Sequence, residues 1–142
     1  MKHQGSRPDF TDLRNRELML TFRRVLAERR YFNVREDFRL VVDQPCSRFW
    51  VSEERAAAVV SAMLRGRPVL AGMRHSKQEM YREIHRRVLA MRASDPSAPL
   101  FDLVFAVVGS PAPRFYLSPK YAADIIYRIL RENRSDHSGR SD

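Results

Sequence analysis

The stretch PCSRFWVSEERAAAVV, residues 45–60, returns 66 positions later as PAPRFYLSPKYAADII, residues 111–126. The two align without a gap through Pro, Arg-Phe, an aromatic, an aliphatic, Ser, Ala-Ala and a closing β-branched pair. A chain that repeats itself in this way has to build two similar pieces. The repeat also extends outward. RRVLA occurs at 23–27 and at 86–90, and a Val-Val pair precedes each Pro motif, at Val41-Val42 and Val107-Val108. The RRVLA copies are 63 positions apart and the Val-Val copies 66. A three-residue insertion reconciles the spacings, and ASDPSAP (93–99), crowded with turn residues, accommodates it. Two copies are too few for a solenoid. They predict tandem units over 11–66 and 76–132, joined by a linker over 67–75 and packed as a pseudo-symmetric pair.

Each unit reads as three helices, so the expected fold class is all-α. In the first, a helix starting at Thr11 or Asp12 carries Leu18, Phe22, Val25 and Leu26 at helical spacing. Phe10 before it is placed to act as a hydrophobic staple. A short second helix over 34–42 turns Phe38, Val41 and Val42 inward. A third over 53–64 turns Ala56, Val59, Val60 and Met63 inward, and Gly66 and Pro68 end it. In the second unit SKQE (76–79) has capping-box spacing. The helix behind it carries Met80 or Tyr81, Ile84, Val88 and Leu89. LFDLVFAVV (100–108) taken alone also suits a strand. Its repeat partner REDFRLVVD lacks strand alternation, so the repeat favours helix. The last helix begins at Pro119 with Ala122, Ile125, Ile126 and Ile129 inward. Residues 1–10 read as a flexible N-terminus. NRSDHSGRSD (133–142) has no aliphatic residue and reads as a disordered tail.

Much of the repeated motif is helix-start chemistry. Ser118-Pro119 supplies a favoured N-cap followed by a favoured first helical residue. By alignment Ser52 caps the third helix, with Glu53 and Glu54 at the positive end of its dipole. What remains is Arg48-Phe49-Trp50 and Arg114-Phe115-Tyr116. One reading is structural: an aromatic fills the gap between helices while the arginine stacks or forms an ion pair. Another is functional, with arginine and the outer aromatic presenting a surface for phosphate and base. A third pairs RFWV with RFYL as a small ribbon.

The charge points to a partner. The chain of 142 residues carries 26 basic and 17 acidic residues, a net charge of +9. All but Lys2, Lys77 and Lys120 of the basic residues are arginine. Such a surface attracts polyanions, nucleic acid first, and the guanidinium fork suits phosphates and guanine edges. A GC-rich genome, which encodes much Arg and Ala, is the competing explanation, and a solvated helix surface the bland one for any single arginine. The densest basic clusters are Arg23, Arg24, Arg29 and Arg30, then Arg82, Arg86 and Arg87. Arg82 and Arg86 lie four apart and share a helix face.

Two trihelical units with a capped third helix share the layout of helix-turn-helix DNA-binding domains. The connection DQPCSRFWVS is longer than the usual turn and lacks its glycine. At the start of the third helix, Glu53-Glu54 repels phosphate, whereas Lys120, with Arg128 and Arg131 further along the last helix, attracts it. The candidate nucleic-acid contacts are therefore Arg23, Arg24, Arg48, Arg82, Arg86, Arg87, Arg114, Tyr116, Lys120, Arg128 and Arg131.

Other classes fall away. Cys46 is the single cysteine, so no internal disulfide or cysteine metal cluster forms. Its repeat counterpart is Ala112, which marks a small core position rather than a reactive thiol. His3, His75, His85 and His137 lack ligand spacing. There is no phosphate-binding loop, nucleophile elbow or paired-carboxylate motif, so neither an enzyme nor a cofactor is expected. No run approaches the ~20 apolar residues of a membrane span, and MKHQGSRPDF has no secretory pattern, so the cytoplasm is expected. The functional expectation is a small nucleic-acid-binding regulator or accessory factor, of a mobile element or phage for instance. DNA is expected before RNA, with the protein a monomer or homodimer. The alternative is a helical interaction module whose arginines meet an acidic protein.

Overall fold

The computed structural model describes residues 3–140 apart from 30 and 32, with side chains described over 10–135. The described residues form six helices and no strand: α1 (His3–Glu28), α2 (Val34–Val42), α3 (Glu53–Leu64), α4 (His75–Ser94), α5 (Leu100–Val108) and α6 (Pro119–Arg140).

The chain divides into two compact units. One is Met1–Gln44 with Leu117–Asp142, which holds α1, α2 and α6; the other is Pro45–Tyr116, which holds α3, α4 and α5. Within the first, α2 packs on α1 and α6, and α1 on α6. Within the second, α3 packs on α5 and α4, and α4 on α5. The sequence repeat therefore describes likeness along the chain, not the compact bodies. Each body takes a first, a second and a third helix of the repeat, but the third comes from the other copy. A helix-turn-helix keeps its consecutive helices in one body. Here α2 and α3 are divided between units, as are α5 and α6.

Local signals explain several helix ends. The Asn33 side chain accepts the Glu36 N–H at 3.0 Å and starts α2. Ser52 Oγ accepts the Arg55 N–H at 3.1 Å, and Ser118 Oγ the Tyr121 N–H at 3.1 Å, so both expected caps are in place. At the end of α3, Gly66 takes φ 76°. The Arg67 N–H donates to the Ala62 carbonyl and the Gly66 N–H to Met63, both at 3.0 Å. That is the Schellman pattern, which needs a left-handed residue at this point.

Two helix starts and one helix end depart from expectation. α1 begins at His3, so Phe10 lies inside it and is no staple. α4 begins at His75 with Arg74 as N-cap and no side-chain cap bond, so Ser76 is helical and SKQE is not a capping box. Gln78 instead donates to the Met73 carbonyl at 2.8 Å and ties the first turn of α4 to the loop before it. Finally, α6 continues through most of 133–142 to Arg140, where no order was expected; residues 141 and 142 lie outside the described residues.

The cores follow the repeat. In the α1–α2–α6 unit Leu18, Phe22, Val25, Phe38, Val41, Val42, Ala122, Ile125 and Ile126 are buried. Phe22 and Phe38 stack at 5.5 Å, and Tyr127 meets Phe38 edge-on at 5.6 Å. In the other unit Ala56, Val59 and Val60 face Met80, Tyr81, Ile84, Val88 and the α5 set Leu103, Val104, Val107 and Val108. Burial thus recurs at the repeat spacing, as Ala56/Ala122, Val59/Ile125 and Val60/Ile126 show. Leu26, Met63 and Ile129 are only half-buried and Leu89 is exposed, at the margins of their faces. One buried charge was not anticipated. Asp37 is fully covered, held by Arg29 at 3.0 Å and by the Asn33 N–H at 3.1 Å. A carboxylate tolerates such a place only when paired and hydrogen-bonded.

The start of each repeated motif is joined by one antiparallel bridge. Cys46 and Ala112 each donate an N–H to the other's carbonyl at 3.0 Å. The Phe49 N–H adds a bond to the Val108 carbonyl at 3.0 Å. The pairing goes no further, so RFWV and RFYL form no ribbon. Cys46 and Ala112 are both buried, which fits a position that admits only a small side chain.

Replacing either cap serine tests this account. Ser118→Ala and Ser52→Ala are each expected to destabilise the protein by about 1 kcal/mol, read as a lower urea midpoint. Midpoints equal to wild type would show that the two hydroxyls do not hold their helices.

Candidate functional site

The α3–α4–α5 unit contains an open groove of about 450 Å³. One wall is the first half of α4, which contributes His75, Glu79, Arg82, Glu83 and Arg86; the other is the segment Pro113, Arg114 and Tyr116. Helical spacing aligns the α4 residues, since 79 follows 75 by four, 82 and 83 follow 79 by three and four, and 86 follows them by four and three. The Cys46–Ala112 bridge and the burial of Phe115 fix the facing segment.

Glu83 organises the charge. Its carboxylate accepts Arg86 Nε at 3.0 Å and Arg86 Nη2 at 2.7 Å, a two-pronged fork. It also accepts Arg87 Nε at 2.8 Å. The Arg86 hydrogen bonds, followed by those from Arg87, overcome partial burial and pull the carboxyl down to about 2. Arg86 is two-thirds exposed and spends only part of its donor set on the fork. Arg82 is exposed and donates to Gln78 at 3.1 Å. Glu79 pairs with His75 at 3.3 Å.

Tyr116 faces this charge from the other wall. It is half-buried, and its ring stacks on Phe49 at 6.0 Å with the planes 17° apart. Burial first, then the Glu83 charge, holds its hydroxyl above the ordinary value of 10.0. Its backbone is left-handed at φ 59°, the single positive φ among the described residues other than glycine.

The expected contact residues separate into groups. Arg82, Arg86, Arg114 and Tyr116 come together in the groove. Arg87 is half-buried beside it and committed to packing. It binds Glu83, donates to Ser110 Oγ at 3.2 Å and the Pro111 carbonyl at 2.8 Å, and lies 5.0 Å over the Phe49 ring. Arg48 is likewise held within its connection. It donates to the carbonyls of Phe49 (2.9 Å) and Val51 (2.8 Å), pairs with Glu53 at 3.7 Å and lies 5.7 Å from the Trp50 ring. This is the structural reading of Arg-Phe-aromatic in its first copy.

Arg23 and Arg24 are exposed on α1, and Lys120, Arg128 and Arg131 on α6, all in the other unit. Lys120 pairs with Asp124 at 3.6 Å. Leu20 stands at the repeat position of Glu83, so Arg23 and Arg24 have no matching carboxylate there. Arg30 lies outside the described residues. Sequence reasoning missed Glu79, Glu83 and His75, although Glu83-x-x-Arg86-Arg87 already carried the spacing for an ion-pair cluster on one helix face. Among the described residues no group of His, Cys, Asp or Glu is arranged to hold a metal ion.

The Glu83 fork has a measurable signature. A carboxyl lowered from 4.5 to about 2 contributes stability that is complete above its unfolded value. That contribution is lost as the pH falls toward 2. The Glu83 carboxyl carbon, followed by NMR, is expected to titrate near 2, and Arg86→Ala to move its midpoint up toward 4.5. A wild-type midpoint at the ordinary value would mean that the fork does not form in solution. The chain matches no protein-family model, no curated protein and no solved structure.

Proposed function

We propose that this protein is a small, non-catalytic nucleic-acid-binding protein, a regulator or accessory factor in the cytoplasm, that contacts its ligand through the groove on the α3–α4–α5 unit. The observation that carries the reading is the convergence of Arg82, Arg86 and Arg114 with Tyr116 in one cleft. Three guanidinium groups neutralise phosphate, and an aromatic ring offers a face to a base. The net charge of +9 adds a long-range attraction for polyanions. Arg23, Arg24, Lys120, Arg128 and Arg131 enter this reading as supporting surface charge, and Arg48 and Arg87 as structural residues. The earlier expectation of two helix-turn-helix-like repeats in a pseudo-symmetric pair rests on the sequence repeat and its shared burial pattern. It is not needed for binding through the groove.

The alternative, an interaction module for an acidic protein, draws on a different observation. Phe101 and Phe105 are both exposed on α5, with their rings 6.2 Å apart. Aromatic pairs on a surface are characteristic of protein contacts.

A titration against labelled random-sequence oligonucleotides, single- and double-stranded, decides between the two. Binding is expected at low salt and is expected to weaken steeply toward physiological salt. The double variant Arg82→Ala with Arg114→Ala is expected to bind all sequences more weakly and to reduce the salt slope by about two. Affinity unchanged in that variant would remove the groove from the reading. No binding even at low salt would leave the acidic-protein partner.

A further inference from the structure

The groove is unlike a surface built to lie along a duplex. Duplex readers insert a helix or a ribbon into the grooves of the nucleic acid. Here the protein supplies the concavity, an open groove of about 450 Å³. The charge pattern differs as well. Glu79 and Glu83 stand among the arginines on the α4 wall. Two carboxylates oppose the flat approach of a rod that carries one negative charge per ~1.7 Å. A single phosphate in the groove meets the same two carboxylates, but three guanidinium groups with them.

Tyr116 supplies the third element. One face of its ring is backed by Phe49, and the residue lines the cleft. A residue with a Cβ adopts a left-handed backbone only at a cost, and such strain gathers at ligand sites. Trp50, at the same place in the first copy of the motif, has no positive φ. The conformation is therefore specific to the copy that lines the groove, not a requirement of the repeated motif. The phenol hydroxyl, protonated at neutral pH as tyrosine ordinarily is, adds a donor in the cleft.

We propose that the groove takes an unpaired nucleotide of a single strand, with Arg82, Arg86 and Arg114 around its phosphate and Tyr116 stacked against its base. This rests on the nucleic-acid reading above and narrows it to single-stranded ligands. Recognition by stacking is tolerant of sequence because every base has a π-face. The Glu83 fork keeps the Arg86 guanidinium at the cleft in advance of binding, so less side-chain freedom is lost when phosphate arrives.

The test uses the full chain and three fluorescent probes of equal length at low salt: a short single strand, its duplex and the same strand with abasic sites in place of bases. The single strand is expected to bind more tightly than the duplex and about tenfold more tightly than the abasic strand. Tyr116→Phe is expected to keep this preference, and Tyr116→Leu, with its fold checked by circular dichroism, to lose it. The abasic probe keeps the test decisive if Tyr116→Leu does not fold. Equal affinity for the abasic and intact strands, or a duplex bound as tightly as the single strand, would overturn the inference and leave the nucleic-acid reading intact. Failure to bind all three probes would overturn both.

Discussion

The ring of Phe49 is the fixed point on which the groove depends. It is fully buried, and its backbone N–H is tied to the carbonyl of Val108 at the end of α5. Tyr116 stacks on it, and Arg87 lies over it. Arg87 in turn shares Glu83 with Arg86, so one buried aromatic is linked through a single arginine to the charged wall of the cleft. A buried Phe gives large apolar burial in a few well-defined rotamers. That rigidity lets exposed groups be placed accurately with little packing of their own.

Which charges are available to a ligand is decided by geometry more than by number. Many arginines are used internally: Arg29 neutralises buried Asp37, Arg48 closes its own connection, and Arg87 braces Ser110 and Pro111. An exposed ion pair contributes little to stability. The Glu83 fork is better placed, because its carboxylate is mostly shielded and bound from two residues at once. It pins a guanidinium at the mouth of a cleft while cancelling only part of the local positive charge.

Much of the fold was legible in the chain. Helix positions, the two serine caps, the Gly66 stop and the inward face of α2 followed from periodicity and cap chemistry, which act within a few residues. The assignment of α5 as a helix required the repeat, because its apolar run suits either structure. The exchange of third helices was not legible. Periodicity shows which face of a helix is buried but not against which copy of its partner, and both copies present nearly the same face. Of the groove's lining, Arg82, Arg86, Arg114 and Tyr116 had been named from charge and motif. Their separation from Arg87 and Arg48 was not legible, since it depends on carbonyls and rings distant in sequence. The left-handed Tyr116 also left no trace, because tyrosine is a residue that seldom takes that conformation.

The exchange also orders events in time. Pro45–Tyr116 is continuous, so every helix of its unit leaves the ribosome in one run. The other unit is closed by α6, which is made last, whereas α1 and α2 are made first. The parts of α1 and α2 that α6 covers have therefore to wait, uncovered, while the whole middle of the chain is synthesised. Contacts of such long sequence separation form slowly, and apolar surface left open in the interval is what invites aggregation and chaperone binding. Arg14, Arg16, Arg23 and Arg24, spread along α1 among its apolar residues, keep that waiting helix strongly charged until its last partner arrives.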